Sequence, residues 1–174
     1  FTVDSASTRD YDDALSVAEL EDGTLEAGIH IADAAELVAP DDALDREAFS
    51  RATSIYLPDR RIPMLPPVLS EGALSLRAGE DRLALSFFLR MSREGELLSF
   101  RMAPSIVRVA RQLTYEEVDR LLEEDPALAA LHALAVRLRE RRLAAGAVIL
   151  PLPEVDVRVD AGGRISLSRH EKET

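Results

Sequence analysis

The 174-residue sequence contains no cysteine. Disulfide bonds, thiolate metal sites and cysteine nucleophiles are therefore excluded, and a reducing compartment fits this composition. Every apolar run is interrupted well before the roughly 20 residues that a membrane-spanning helix needs, and no signal-peptide pattern is present. These absences lead us to expect a cytoplasmic protein without a membrane partner.

The sequence also has very little lysine. Of its 21 basic residues, Lys172 is the single lysine and the others are arginines. The formal net charge of -11 argues against a nucleic-acid partner if charge is simply summed, since phosphate binding depends on cations. Several arginines nevertheless cluster within residues 46–61, and the planar guanidinium suits phosphate. An arginine-rich genome and solvated helix faces are the simpler explanation for most of these arginines.

The hydrophobic content of 47% is enough for one sizeable core. Internal repeats, low-complexity segments and linkers are absent from the sequence, which predicts a single domain over residues 1–174. The first residue is Phe1 rather than methionine, and it stands where a strand is predicted to start. We therefore expect this domain to be a piece of a longer protein.

Three pairs of β-rich segments predict hairpins. ALSVAEL and TLEAGIHIAD flank an Asp22-Gly23 turn, which is a strong hairpin signal. RLALSFFLRMS and ELLSFRMAPSIVRVA predict a longer hairpin with its turn at residues 93–95, and VDVRV and RISLS predict a third near the end of the chain. FTVD at the start predicts a further strand, so the strands arise mainly as antiparallel pairs.

The predicted helices cover residues 41–54, 114–123 and 126–146. Thr114 and Glu117 form a capping-box pattern, Asp125 and Pro126 are typical of a helix start, and Gly146 is typical of a helix end. The proline-rich segment at 56–70 excludes a regular helix or a central strand, and predicts an extended loop of fixed shape.

The acidic stretch DSASTRDYDDAL at residues 4–15 gathers four carboxylates around one arginine, Arg9. The carboxylates belong to Asp4, Asp10, Asp12 and Asp13. Two like charges about 4 Å apart repel by roughly 4 kcal/mol at an effective dielectric constant near 20. A folded loop that brings them together is therefore expected to need a cation.

Three interpretations of this stretch are open. It is a solvated acidic turn, a calcium loop or a magnesium site. The calcium interpretation is the weakest, because the central glycine, the final bidentate glutamate and the flanking helices of an EF-hand are missing. Mg²⁺ prefers oxygen ligands and completes its shell with water and phosphate, and four carboxylates suit two ions about 3.5–4 Å apart. Residue chemistry alone thus predicts a divalent-metal site.

The segment DSASTRDYDDALSV resembles the opening catalytic motif of the RNB domain, the nuclease domain of the RNase II and RNase R family. GIHIADAAELV, the long block from LDREAFSRATSIYLPDRRIPMLPPVLS to DRLALSF, and RQLTYEEV resemble successive blocks of that domain, in order and at fitting spacing. The resemblance covers essentially the whole chain. It implies an α+β fold, with a twisted, largely antiparallel sheet built from hairpins and flanked by helices.

The resemblance also implies a magnesium-dependent, processive exoribonuclease. Members of the family hydrolyse single-stranded RNA from its 3′ end and release 5′-nucleoside monophosphates. By motif, the four aspartates match the family's active-site aspartates, which hold metal ions and position water. Tyr56 matches a base-stacking tyrosine, and Leu150, in GAVIL, stands where bacterial members carry a base-stacking phenylalanine. We expect a monomer that binds RNA through these residues.

The resemblance implies that residues 1–174 are the N-terminal part of an RNB catalytic domain, truncated at its C-terminal side. The family pattern continues beyond Thr174 with a further carboxylate, an arginine for the scissile phosphate and OB-type RNA-binding domains. Their location outside this sequence would account for its acidic balance, and the segment alone is not expected to be a complete enzyme. Two rivals remain open: a non-catalytic RNA-binding homologue, and a different Mg²⁺ phosphoesterase acting on small substrates.

Three further residues receive more ordinary interpretations. His30 lies mid-strand without a second histidine nearby, so we interpret it as structural, with Asp33 available for supporting hydrogen bonds. Arg108 and Arg111 are compatible with phosphate contacts or with a solvated strand edge.

Overall fold

A computed structural model of the chain describes residues 1–150, 154–160 and 162–170. The helices are α1 (Ala43–Arg51), α2 (Tyr115–Leu121) and α3 (Pro126–Ala144), with a 3-10 turn at Ala34–Glu36 and a π-helical turn at Leu69–Ala73. The strands are β1 (Thr2–Asp4), β2 (Asp13–Glu19), β3 (Leu25–Ala32), β4 (Ile55–Tyr56), β5 (Arg61–Ile62), β6 (Asp81–Met91), β7 (Leu97–Arg108), β8 (Gln112–Thr114), β9 (Glu154–Val159) and β10 (Ile165–His170). The predicted α+β class is confirmed.

The central sheet has the strand order β2-β3-β6-β7, and each neighbouring pair is antiparallel. Gly23 (φ 77°) lies in the β2–β3 turn, and Gly95 (φ 80°) lies in the β6–β7 turn. Residues with a Cβ rarely adopt this conformation, so glycine allows both turns to close. β9 and β10 pair antiparallel in a sheet of their own. All three predicted hairpins are confirmed.

The first strand pairs outside these hairpins. β1 lies parallel to β8, with Asp4 opposite Thr114. Thr114 also begins α2: its Oγ1 accepts a 3.2 Å hydrogen bond from the Glu117 backbone, and the Glu117 carboxylate accepts a 2.8 Å bond from the Thr114 backbone. The predicted capping box is confirmed. It holds Thr114 at the end of β8, and Asp4 of β1 lies opposite this residue.

The helices are shorter than predicted at their ends. α1 begins after Asp42, whose carboxylate accepts from the Asp45 backbone at 2.8 Å, and it ends where Ala52 takes a φ of 62°. α2 ends at Leu121, whose carbonyl still accepts from the backbones of Glu124 and Asp125 in a final turn, and Asp125 then caps α3 through its side chain. A left-handed residue ends α1, and the start of α3 follows α2 within one turn.

Two apolar clusters hold the layers together. Ala14, Leu76 and Val109 form one on a face of the central sheet. Leu134 of α3 packs against Ala27 and Met91 in the second, so α3 covers part of the sheet. Burying one such large side chain fully contributes about 1.5–3 kcal/mol.

A chain of hydrogen bonds crosses all four strands of the central sheet. Ser105 Oγ donates to the Ala84 carbonyl at 3.0 Å, so Ser86, 2.5 Å away, must donate to Ser105. Ser86 then accepts from Nδ1 of His30 at 2.7 Å, which leaves Nε2 of the neutral ring to accept from Ser16 at 2.9 Å. His30 is 8% exposed. Its structural role is as predicted.

Gly28 is required beside this chain of hydrogen bonds. A Cβ on residue 28 would lie 2.2 Å from Oγ of Ser16 and 2.8 Å from Nε2 of His30. Both distances are far inside van der Waals contact, so a side chain at this position would displace the bonded pair. The glycine allows the hydroxyl and the imidazole to meet over the strand.

The proline-rich segment contains more structure than the predicted extended loop. β4 and β5 form a short hairpin apart from the central sheet, and the π-helical turn follows. Tyr56 and Arg61 face each other across that hairpin. Among the residues described above, no helix is long and apolar enough to span a membrane.

Candidate active site

The aspartate loop, residues 4–13, is anchored by a strand at each end. Asp4 is the last residue of β1, and Asp13 is the first residue of β2. Because β1 pairs with β8 and β2 pairs with β3, both ends of the loop have fixed positions. Asp10 and Asp12 lie in the irregular segment between the two strands.

A buried serine fixes the middle of the loop. Ser75 has 0% exposure, and its hydroxyl donates to the Arg9 carbonyl at 2.8 Å while accepting from the Tyr11 backbone at 3.0 Å. The Leu76 backbone donates to the Tyr11 carbonyl at 2.9 Å. These bonds secure the peptide groups on either side of Asp10, so the backbone that carries this aspartate is held by the protein interior.

The carboxylates of the loop are close enough to repel one another. Burial raises the pKa of the Asp4 carboxyl above its ordinary value, and repulsion from Asp13 and Asp10 raises it further. Desolvation likewise raises the pKa of Asp12, with added repulsion from Asp10, Asp13 and Asp4. Asp12 still contacts solvent, so water screens part of that repulsion. The loop therefore concentrates negative charge, as the sequence predicted.

Asp10 is bound through both of its oxygens. The Tyr56 hydroxyl donates to Oδ2, and Nη1 of Arg61 lies 3.4 Å from Oδ1. The bond to Asp10 is the main reason that the pKa of Tyr56 is raised to about 12, with burial adding to it. The predicted stacking tyrosine and one predicted metal-binding aspartate are thus in direct contact.

The oxygen-rich donor set of the loop fits Mg²⁺, although no finished metal cage is present. Within residues 1–150, 154–160 and 162–170, no three Asp, Glu, His or Cys side chains converge as ready ligands. Mg²⁺ commonly keeps several waters and takes only one or two protein carboxylates, so a complete cage is not required. Burial, and then repulsion from the neighbouring aspartates, raises the pKa of Asp4 and of Asp12, and a divalent cation at the loop would offset that repulsion.

The two predicted RNA-contacting residues have different positions. Tyr56 is 58% exposed, so its ring faces solvent while its hydroxyl is bound to the aspartate loop. Leu150 lies beyond the end of α3 and is 73% exposed, so it does not pack in the core. Leu150 is therefore accessible to a ligand. Unlike Tyr56, whose hydroxyl binds Asp10, it makes no contact with the aspartate loop within the described part of the chain.

Sequence reasoning missed Ser75 and Arg61. Both act on the aspartate loop from distant parts of the chain, and neither stands in a local pattern that marks such a role. Arg61 belongs to the cluster at 46–61, which suggested phosphate contacts or solvated faces. Arg108 and Arg111, for which phosphate contact was one option, instead pair with Asp81 at 2.7 Å and Asp125 at 2.6 Å.

The family model described as RNB domain matches residues 1–174. The chain belongs to the RNB domain family. Ribonuclease R of Chlamydia muridarum is 40% identical to this RNB domain over 169 residues, with 92% of the chain and 24% of that relative aligned. The human exosome complex exonuclease RRP44 is 37% identical over 167 residues, covering 92% of the chain and 17% of the relative. The chain thus spans about a quarter or less of the length of these curated relatives.

A solved structure shows the same arrangement of elements. Mycoplasma genitalium RNase R in complex with double-stranded RNA matches 97% of the chain and 32% of its own length, with a TM-score of 0.90 and 25% identity. This match confirms that the hairpin-built sheet with flanking helices is the RNB fold.

Proposed function

We propose that this RNB domain supplies the catalytic aspartates of a 3′-to-5′ exoribonuclease. The enzyme would hydrolyse single-stranded RNA processively and release 5′-nucleoside monophosphates. The observation that carries this proposal is the contact between Tyr56 and Asp10. It places an exposed aromatic ring, suited to stack on a base, beside a loop of carboxylates suited to metal-assisted phosphodiester hydrolysis.

We also propose that the domain works within a longer protein. Its relatives are about four times its length, since it covers 24% of the Chlamydia ribonuclease. The remaining parts would provide a further carboxylate, an arginine for the scissile phosphate and OB-type RNA-binding domains. A net charge of -11 is compatible with this division, because most phosphate contacts would come from those parts.

In this mechanism each residue of the site has a distinct task. Asp4, Asp10, Asp12 and Asp13 would hold Mg²⁺, which supplies a metal-activated water and offsets the charge that develops on the phosphate. Tyr56 presents its ring to the terminal bases and its hydroxyl to Asp10. Ser75 keeps the loop backbone in place, so the carboxylates do not have to be ordered when RNA arrives.

A non-catalytic role is the main rival. Yeast Ssd1, described as a pseudonuclease, shares the fold with a TM-score of 0.74 at 23% identity over 87% of this chain and 19% of its own. The fold alone therefore does not decide activity. The four clustered aspartates favour catalysis here, because a site that has lost its chemistry has no need to keep mutually repelling carboxylates. The exposed Tyr56 ring likewise favours RNA over small phosphoesters.

Product analysis of the full-length protein tests this function. RNA labelled at its 3′ end should release labelled 5′-monophosphate at once in Mg²⁺, whereas RNA labelled at its 5′ end should pass to a short limit product without abundant intermediates. Chelation by EDTA should stop both reactions. Binding without cleavage would support the non-catalytic rival, and cleavage confined to bis-p-nitrophenyl phosphate would support the small-substrate phosphoesterase.

Two further features of the proposal concern the protein in solution. We propose a monomeric, cytoplasmic enzyme. The absence of cysteine is compatible with a reducing compartment. Light scattering during size-exclusion chromatography measures the first feature, and cell fractionation measures the second.

A further inference from the structure

A guanidinium group contacts the aspartate loop in two places. Nη1 of Arg61 lies 3.4 Å from Oδ1 of Asp10, and Nη2 donates to the carbonyl of Ser7 at 2.5 Å. The Arg61 Cζ also lies 5.9 Å from the centre of the Tyr56 ring. One side chain thus reaches the carboxylate, the loop backbone and the aromatic ring.

The β4–β5 hairpin explains how these contacts arise together. Tyr56 and Arg61 are directly opposite each other in that hairpin, so their side chains leave it on the same face. Tyr56 binds Oδ2 of Asp10, and Arg61 approaches Oδ1. Because the two oxygens are held by different donors, rotation of the carboxylate would break both contacts. Each oxygen has two acceptor sites, so each keeps one for another ligand.

We propose that Arg61 is a positioning residue that fixes the Asp10 carboxylate and the Ser5–Arg9 part of the loop for metal binding. This inference rests on the proposed function, in which Asp10 holds Mg²⁺. In this role Arg61 acts through Asp10 and not directly on RNA or on the reacting phosphate. Its positive charge also offsets part of the repulsion among the four aspartates.

The planar fork of arginine matters for this role. Two nitrogens of one guanidinium serve two acceptors, the Asp10 carboxylate and the Ser7 carbonyl. A lysine ammonium restores the charge but lacks the fixed fork, so it should restore only part of the effect. Phosphate binding is a different role. If Arg61 served it, its loss would chiefly weaken RNA binding, since its contacts to the loop would be incidental.

Three substitutions in the full-length protein separate these possibilities. Arg61→Met removes the charge and the fork at similar length, and Arg61→Lys keeps the charge alone. Arg60→Met is the matched control, because Arg60 belongs to the same hairpin turn, is exposed and loses the same charge. Circular dichroism and melting temperature establish that each variant is folded. Arg61→Lys carries the test if Arg61→Met does not fold.

The measurements are kcat and KM for single-stranded RNA, and the affinity for Mn²⁺ without RNA from the free-ion signal in electron paramagnetic resonance. We expect Arg61→Met to lower kcat at least tenfold, to leave KM within about threefold and to weaken Mn²⁺ binding about fivefold. Arg61→Lys should recover part of both losses. Arg60→Met should match the parent protein in all three quantities.

The results distinguish failure of this inference from failure of the proposed function. If the parent degrades RNA and Arg61→Met behaves like Arg60→Met, the positioning role is wrong and the function stands. A rise in KM with unchanged kcat and Mn²⁺ affinity would assign Arg61 to phosphate instead. If the parent leaves RNA intact, the proposed function fails, and Mn²⁺ affinity alone decides the positioning role. A parent that binds no Mn²⁺ would overturn both.

Discussion

The hydroxyl of Tyr56 donates a hydrogen bond to Oδ2 of Asp10. This bond connects a ring that is open to solvent with a carboxylate in the aspartate loop. A tyrosine at this position therefore has two separable parts: an aromatic face for stacking, and a phenol that orients an acid. Phenylalanine would keep the first part and lose the second.

We predict that Tyr56→Phe lowers kcat several-fold while leaving RNA affinity within about twofold. Tyr56→Ala removes the ring as well, so it should also weaken the binding of short oligonucleotides by about 1–3 kcal/mol and lengthen the limit product. Fluorescence anisotropy and gel analysis of products measure these effects. Identical behaviour of the two variants would show that the hydroxyl has no role of its own.

The aspartates themselves should separate turnover from affinity. Asp12→Asn or Asp13→Asn should abolish turnover in the full-length protein, because these side chains would hold metal and water. RNA affinity should change little, since it arises from many phosphate and stacking contacts. Asp119→Asn on the exposed face of α2 is the matched control. Cleavage within tenfold of the parent at saturating Mg²⁺ would rule out the assignment of these aspartates.

Ser75 offers a test of loop anchoring. Ser75→Ala leaves the Tyr11 N–H and the Arg9 carbonyl without their side-chain partner in a buried position. We expect a loss of about 1–3 kcal/mol in the free energy of unfolding. Chemical denaturation of the variant beside Ser99→Ala, which truncates an exposed serine of β7, measures it. Equal stability of the two variants would contradict the anchoring role.

Features that depend on neighbouring residues, such as the turn at Gly23, can be predicted from the sequence, whereas long-range contacts such as that of Ser75 cannot. The hairpin at Asp22-Gly23 and the capping box at Thr114 depend on residues a few positions apart, so a local pattern is sufficient to predict them. The Ser75 hydroxyl meets the Tyr11 backbone across 64 positions. That contact exists only after the chain has folded, and no spacing rule marks it.

The site shows the same division. Charge density singled out the aspartates as a candidate metal site, and the resemblance of the whole segment to the RNB motif predicted their catalytic role. Arg61 contacts Asp10 across 51 positions and belongs to an arginine-rich segment, so its role could not be separated from that of its neighbours. The parallel pairing of β1 with β8 was missed for the same reason, since the two strands are far apart in the chain.

His30 predicts how stability depends on pH. Burial lowers the pKa of its imidazole. The unfolded chain therefore binds a proton at higher pH than the folded chain does. The contribution of neutral His30 should be fully present above the ordinary pKa near 6.5 and should be lost as the pH falls below it.

Urea denaturation at pH 8, 7, 6 and 5 measures this dependence. The parent protein should lose more stability on acidification than His30→Gln, in which the imidazole no longer titrates. The variant should be less stable at pH 8, because glutamine does not reproduce the bonds to Ser16 and Ser86. Parallel pH profiles of the two proteins would show that His30 does not contribute to the acid sensitivity.

Leu150 tests whether the chain after α3 reaches the RNA. The residue is exposed, and leucine presses on a base by dispersion without offering an aromatic face. Leu150→Phe in the full-length protein should therefore gain part of the 1–3 kcal/mol of an aromatic stack, tighten the binding of short oligonucleotides and shorten the limit product. Val148→Phe adds the same ring at another exposed position nearby and is the control. Equal effects of the two substitutions would mean that the ring adds only general hydrophobic contact.

The limit product also tests Leu150 and Tyr56 together. If neither Leu150→Phe nor Tyr56→Ala changes its length, neither residue binds the terminal bases.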